Sequence, residues 1–203
     1  TWKAELETKG QTETFYTQKE GGRDGLCIQY NSKRFTSLKE EVISFAPLMT
    51  ALEGAIPNIA QILVLQCSSQ PNSFFIVSNT HLFWRPEFDC LRVLQTHRLR
   101  KRIEEIRGED DEKLSGALVI MCGDWNSDPK SAVYHLISGQ IDQITRSHWT
   151  DLVSSHSALL GFPPEYSQRL FAQVLEDFKK WPNLTSAYSQ YQSPTDPEIR
   201  GEP

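Results

Sequence analysis

The stretch that most constrains this chain is an apolar run, Ala117-Leu118-Val119-Ile120-Met121-Cys122, followed at once by Gly123-Asp124-Trp125-Asn126-Ser127. A continuous run of this kind, rich in branched residues and bounded by Ser115-Gly116 and Gly123, predicts a strand buried on both faces. Its end is then the C-terminal edge of a core sheet. Asp124 and Asn126 stand at i and i+2, so on an extended backbone their side chains project to the same side. A carboxylate and a carboxamide meeting there suit phosphate-ester hydrolysis: the carboxylate can orient or deprotonate water or hold a hard cation, and the amide can donate to a phosphoryl oxygen. The same two residue types are also ordinary turn formers between a strand and a helix. Ser127-Asp128-Pro129 predicts a helix opening, with Ser127 or Asp128 as N-cap and Pro129 in the first helical position.

A length of 203 residues predicts one domain, residues 1–203, with a sizeable core. The balance of 38% hydrophobic and 23% charged residues fits an ordinary globular protein, and no apolar run reaches the length of a membrane span. A formal net charge of −5 argues against broad electrostatic capture of nucleic acid, though not against a local basic groove. Cys27, Cys67, Cys90 and Cys122 are far apart and fall in or beside apolar runs, which predicts buried free thiols in a reducing compartment.

In chain order, residues 1–22 read as a helix followed by a strand, and Leu26–Tyr30 as a strand closed by a turn at Asn31-Ser32-Lys33. Phe35 opens a further strand, Val42, Ile43 and Phe45 form a separate short patch, and together these predict an antiparallel meander. Ile59–Cys67 and Phe74–Ser78 predict a hairpin across a Ser68–Ser73 loop with a Pro71-Asn72 turn. Phe88–Arg107 has helical spacing, with Arg92, Arg98, Arg100, Lys101 and Arg102 on a face expected to be mainly solvated. Helices are expected at 129–138, closed by Gly139, and after Pro163-Pro164, where Tyr166, Leu170, Phe171, Val174, Leu175 and Phe178 form a core stripe. Residues 141–162 show weaker periodicity.

Four ordered segments resemble the endonuclease/exonuclease/phosphatase superfamily, on its deadenylase-like branch of nocturnin, angel and the 2′-phosphodiesterases. Asp24-Gly25-Leu26-Cys27-Ile28-Gln29-Tyr30 with Lys33–Phe35 is similar to "E-G-x-A-x-F-Y … K-F", with Asp24 in place of glutamate. Asn79-Thr80-His81-Leu82-Phe83-Trp84, with Pro86 and Gln95, is similar to "N-T-H-L-x-W-x-P … Q". Gly123–Pro129 with Tyr134 is similar to "G-D-F-N-S-x-P … Y", and Leu184–Tyr188 to "L-x-S-A-Y".

The resemblance implies a four-layer α/β sandwich of the DNase I-like type and Mg²⁺-assisted hydrolysis of RNA or oligoadenylate phosphodiester bonds, with Mn²⁺ as the alternative ion. Residue by residue, it gives Asp124 the orienting or activation of water and a share of a metal. Asn126 matches the residue that contacts the scissile phosphate or that metal, and His81 the histidine that contacts the phosphate. Asn79, Trp84 and Pro86 match substrate-binding positions. An N-terminal "L-Q-E" glutamate and C-terminal "L-D-Y-I" and "S-D-H" segments do not occur in this chain. The expectation is therefore the central part of a catalytic domain, incomplete at both termini and inactive alone, from an intracellular protein of cytoplasm or mitochondria. The alternative is a non-catalytic RNA-binding or scaffold protein. A third reading, with abasic DNA, phosphoinositide or sphingomyelin as substrate, fits the Trp84 and Pro86 context less well.

Overall fold

The hairpin between Lys19 and Asp24 starts the architecture. β1 (Thr12–Gln18) and β2 (Gly25–Asn31) pair antiparallel across it as a two-stranded sheet. The computed structural model describes residues 12–52, 57–109 and 113–187. These fall into two compact units, the first made of residues up to Trp84 with Gln95–Asn126, the second of Arg85–Leu94 with the residues from Ser127 onward.

In the first unit a four-stranded sheet runs in the order β3 (Phe35–Ser44), β4 (Ile59–Cys67), β5 (Gln70–His81), β6 (Leu118–Asp124). β3, β4 and β5 form an antiparallel meander, whereas β6 lies parallel to β5. A parallel neighbour needs a long crossover, and the helix α1 (Asp89–Glu109) lies within it. The two sheets pack face to face through Phe15, Ile28 and Tyr30 on one side and Leu63 and Leu65 on the other, flanked by Phe35, Phe75 and Val77. Gln61, a polar interruption in β4, is fully buried in this layer, and its Nε2 donates to the Phe15 carbonyl at 3.1 Å and the Thr17 hydroxyl at 2.9 Å. It ties the sheets together where an apolar residue could only fill space. On the opposite face, Arg102 of α1 lays its guanidinium on Glu41 of β3 with contacts of 2.6 and 2.9 Å, and Leu99, Ile103 and Ile106 are fully buried.

Several expectations need correction here. β6 exists where the apolar run placed it, but among the described residues it is the last strand of its sheet, with Leu118 57% and Ile120 39% exposed. The facing hairpin packs over β4 and β5, so it covers only part of the sheet. A run of apolar residues shows that a strand forms but not its place in the sheet. Cys122 is exposed with it and Cys27 and Cys67 are half-buried, so Cys90 alone of the four thiols is buried. Residues 35–44 form one strand with a bulge between Ser37 and Lys39, not two segments, and β2 and β3 sit in different sheets. Pro71 and Asn72 belong to β5, because the chain turns at Ser68-Ser69. On α1, Arg92 and Arg100 are buried, and the ion partners of the basic face are Glu41, Glu104 and Glu105 as well as Asp89.

The second unit holds α2 (Ala132–Ile137), α3 (Arg146–Leu160) and α4 (Pro164–Lys180). α2 opens later than Pro129, with Ser131 as N-cap accepting from the Tyr134 N–H. Asp128 and Pro129 lie in the turn before it, where the Asp128 carboxylate accepts from the Lys130 N–H at 2.8 Å. α3 falls in the region of weak periodicity. Its start is set by a reciprocal cap between Thr145 and His148, and Gly161 closes it in the left-handed conformation. α4 buries Ser167, Phe171, Val174 and Phe178, while Tyr166 of the expected stripe is exposed. Buried His156 stacks on Phe162 at 4.7 Å and pairs its Nδ1 with the Ser167 hydroxyl at 2.8 Å. The Leu184 N–H donates to the Ile137 carbonyl at 3.3 Å; residues 1–11, with the expected N-terminal helix, and Tyr188 onward lie outside the described residues.

Two outcomes follow for stability. Ile76→Ala, at a fully buried position of β5, should cost about 2–5 kcal/mol, whereas Leu118→Ser at an exposed position of β6 should stay within about 0.5 kcal/mol, both read by urea unfolding. The Arg102 fork holds the Glu41 carboxyl below its ordinary value, so the pair's stabilisation is present above the usual carboxylate pKa of about 4.3 and is lost as pH falls through the lower folded value. Glu41→Gln should therefore flatten the loss of stability between about pH 5 and 3 in acid titrations followed by circular dichroism.

Candidate active site

The parallel pairing of β5 with β6 runs in register to its end, placing His81 directly opposite Asp124. Ligands in open α/β sheets sit beyond the carboxyl ends of such parallel strands. The backbone leaving β5 is held bond by bond. The His81 carbonyl accepts from Asn58 Nδ2 at 2.8 Å, the Leu82 N–H donates to the Asp124 carbonyl at 2.9 Å, and the Leu82 carbonyl accepts from Asn126 Nδ2 at 2.9 Å. The Phe83 N–H donates to Gln95 Oε1 at 3.0 Å, and Gln95 Nε2 in turn donates to Asn58 Oδ1 at 3.3 Å. Each of these polar groups would be costly if left unpaired, so the bonds favour this geometry of the loop.

The opposite strand end bends instead of continuing. Gly123 has φ 128°, and Asn126 has φ 46°, the left-handed conformation that asparagine tolerates. The Asn126 N–H donates to Asp124 Oδ1 at 2.9 Å. The backbone does not stay extended, so Asp124 and Asn126 are not brought together as neighbours on one strand face. They are joined by this turn, and the Asn126 amide is committed to the Leu82 carbonyl.

His81 Nε2 lies 3.8 Å from Asp124 Oδ2. On its other edge, Nδ1 lies 3.4 Å from Lys19 Nζ and 4.0 Å from Asp24 Oδ2, while Lys19 and Asp24 pair at 2.6 Å. Asp124, Asp24 and His81 have side chains 63%, 56% and 38% exposed, against 7% for Lys19. The hydrogen bond from Lys19 holds the Asp24 carboxyl below its ordinary value.

Of the other predicted site residues, Asn79 donates its Nδ2 to the Cys27 carbonyl at 3.1 Å and so ties β5 to β2. Trp84 is 65% exposed. Pro86 opens a short 3₁₀ turn in the second unit, where its carbonyl accepts from Arg92 at 3.0 Å. Among the described residues, no three histidine, cysteine, aspartate or glutamate side chains gather as a set that could hold a metal ion. Asp124 is nevertheless a hard oxygen donor, and Mg²⁺ is commonly held through one or two carboxylates completed by water and substrate phosphate. The donor set present fits a shared ion of that kind and not a closed cage. Lys19 and Asn58 were not singled out from the sequence. Lys19 sits in a polar stretch before Gly21-Gly22, where nothing marks it as buried, and Asn58 stands alone before β4.

No protein-family model matches the chain. The mouse protein 2′,5′-phosphodiesterase 12 (Mus musculus) is 30% identical over 138 residues, taking in 58% of this chain and 22% of that protein. The probable RNA exonuclease NGL3 of Saccharomyces cerevisiae is 26% identical over 133 residues, 62% of this chain and 26% of its own length. The crystal structure of ANGEL2, a 2′,3′-cyclic phosphatase, in complex with adenosine-2′,3′-vanadate superimposes with a TM-score of 0.56 and 25% identity over 67% of this chain and 38% of that one. The chain thus spans about a quarter of the length of the curated relatives it matches.

A Cβ at Gly123 would lie 2.0 Å from the Thr80 carbonyl oxygen, and its φ is disfavoured for any L side chain. Gly123→Ala is expected to destabilise the chain by about 1–3 kcal/mol from backbone strain alone, measured by urea unfolding.

Proposed function

We propose that this chain belongs to the endonuclease/exonuclease/phosphatase superfamily, on its deadenylase-like branch, and is part of a metal-dependent phosphodiesterase that hydrolyses RNA or oligoadenylate from a 3′ end. The single observation that carries the reading is the pairing of His81 with Asp124 across the ends of parallel strands, 3.8 Å apart and both open to solvent. Asp124 has a carboxylate oxygen on the solvent side of a rigid turn, suited to accept a proton from water or to orient it. His81, beside it, can donate to a phosphoryl oxygen as negative charge builds there. Trp84 offers a face on which a base can stack.

A Mg²⁺ ion would be held on the protein side by Asp124, with the Asn126 carboxamide oxygen as a second candidate ligand, and would supply charge neutralisation at the phosphate. The chain's own contribution is to fix the two oxygens: the Asn126 N–H engages one carboxylate oxygen of Asp124 at 2.9 Å and leaves the other 3.8 Å from His81 Nε2. Among the described residues Asp124 is the carboxylate that faces His81 Nε2, with Asp24 engaged by Lys19, so we expect the 203-residue chain by itself to turn over substrate very slowly, and a longer protein that contains it to be active.

The test is hydrolysis of adenylate-tailed RNA and of 2′,5′-oligoadenylate by the protein with its flanking sequence, with and without chelator. Asp124→Asn and His81→Ala should each lower kcat by about 10²–10⁴-fold. Full activity of Asp124→Asn would overturn the reading. RNA retained on a filter equally well by Asp124→Ala, with no cleavage by any form, would leave a non-catalytic RNA-binding protein in its place.

A further inference from the structure

Lys19 is buried to 7% exposure, yet its partner Asp24 is 56% exposed. Lysine is among the residues least often buried, and a surface carboxylate gives no reason to bury one, since the same pair forms more cheaply in water. The hairpin nevertheless fixes it in place. The Lys19 N–H donates to the Asp24 carbonyl at 3.1 Å and its carbonyl accepts from the Gly22 N–H at 3.0 Å, which fixes its backbone, and its side chain, 7% exposed, lies inward. His81 Nδ1 stands 3.4 Å from the Lys19 ammonium nitrogen.

An ammonium group carries hydrogens only and cannot accept. The imidazole nitrogen facing it must therefore be the one bearing a lone pair, because an N–H or C–H turned there would set positive against positive. The proton of a neutral His81 is then on Nε2, the nitrogen that faces Asp124 Oδ2 at 3.8 Å. Asp24 Oδ2, at 4.0 Å from the same Nδ1, would favour the opposite tautomer, but its oxygen is engaged by Lys19 at 2.6 Å.

We propose that Lys19 is a positioning residue: anchored by Asp24, it selects the Nε2–H tautomer of His81 and turns that N–H toward the space beside Asp124. The tautomer assignment stands on this geometry alone. That the N–H then donates to a phosphoryl oxygen rests on the phosphodiesterase reading above.

The experiment reads the imidazole nitrogens of ¹⁵N-histidine-labelled full chain by long-range ¹H–¹⁵N correlation, with the His81 signals assigned by their loss in His81→Gln. Wild type should show an unprotonated Nδ1 and a protonated Nε2 at His81. Lys19→Met, which keeps the aliphatic stem, should shift His81 toward the Nδ1–H form, leave the His156 signals in place, and be reversed in Lys19→Arg, which restores a donor. An Nδ1–H in wild type, or an unchanged His81 spectrum in folded Lys19→Met, would overturn the proposal; the wild-type spectrum decides even if the Met variant does not fold. In the active, flanked protein Lys19→Met should lower kcat by about 10–100-fold, with KM little changed, as removal of groups that fix a histidine tautomer does elsewhere. An inactive wild-type protein with the Nε2–H tautomer would defeat the phosphodiesterase reading and leave the role of Lys19 standing.

Discussion

The parallel ladder between β5 and β6 is the constraint on which the candidate site depends. Its register sets which side chains meet at its end, and a slip of one residue would send Asp124 to the other face and leave His81 opposite a different partner. The register is pinned by bonds beyond the ladder itself. The Leu82 N–H continues it to the Asp124 carbonyl, and the Asn126 side chain then closes on the Leu82 carbonyl, so both strands are fastened just past their last paired residues. Gly123 makes the approach possible, because a side chain there would collide with the Thr80 carbonyl.

This fastening puts Asn126 in a different light from a simple phosphate donor. Its backbone N–H serves Asp124 and its amide serves Leu82, so it sets the position of both catalytic candidates before any substrate arrives. Preorganisation of this kind is inexpensive in a small site, since the bonds that orient the groups are those that satisfy the loop's own backbone. Gln95 and Asn58 do the same on the far side, joining the Phe83 N–H to the His81 carbonyl through two buried amides. The match of Gln95 to the motif that carries His81 thereby acquires a physical reason: it stands fourteen residues past His81 in sequence, but its side-chain oxygen is the acceptor that holds the residue two past the histidine.

Much of this was legible in the residues. The strand before Asp124, the strand from Ile59 to Cys67 and the amphipathic helix after Pro163-Pro164 stand where their apolar patterns put them, since those patterns report local burial directly. What the patterns could not report is which strand stands last in the sheet among the described residues. Leu118 and Ile120 look like core residues because hydrophobicity records what a strand can bury, and exposure depends on how far the facing hairpin reaches. α3 escaped notice for the opposite reason: its start is fixed by the Thr145–His148 cap, and histidine at that position is not a recognised capping signal in the way glutamate is.

The site was legible only in its first layer. Asp124 and Asn126 stand out as polar residues directly after an apolar strand, and they and His81 gain candidate roles only through the resemblance of the ordered segments that hold them. Lys19 lies in a polar segment and gains its meaning only when the β1–β2 hairpin folds its ammonium inward against the imidazole. Burial converts an ordinary surface residue into a group that dictates where a proton sits, and burial of a lysine in a hairpin turn is a property of the packed sheets. The two sheets thus divide the labour: β5 and β6 present the carboxylate and the imidazole, while the smaller sheet supplies the cation that decides which nitrogen of that imidazole can donate.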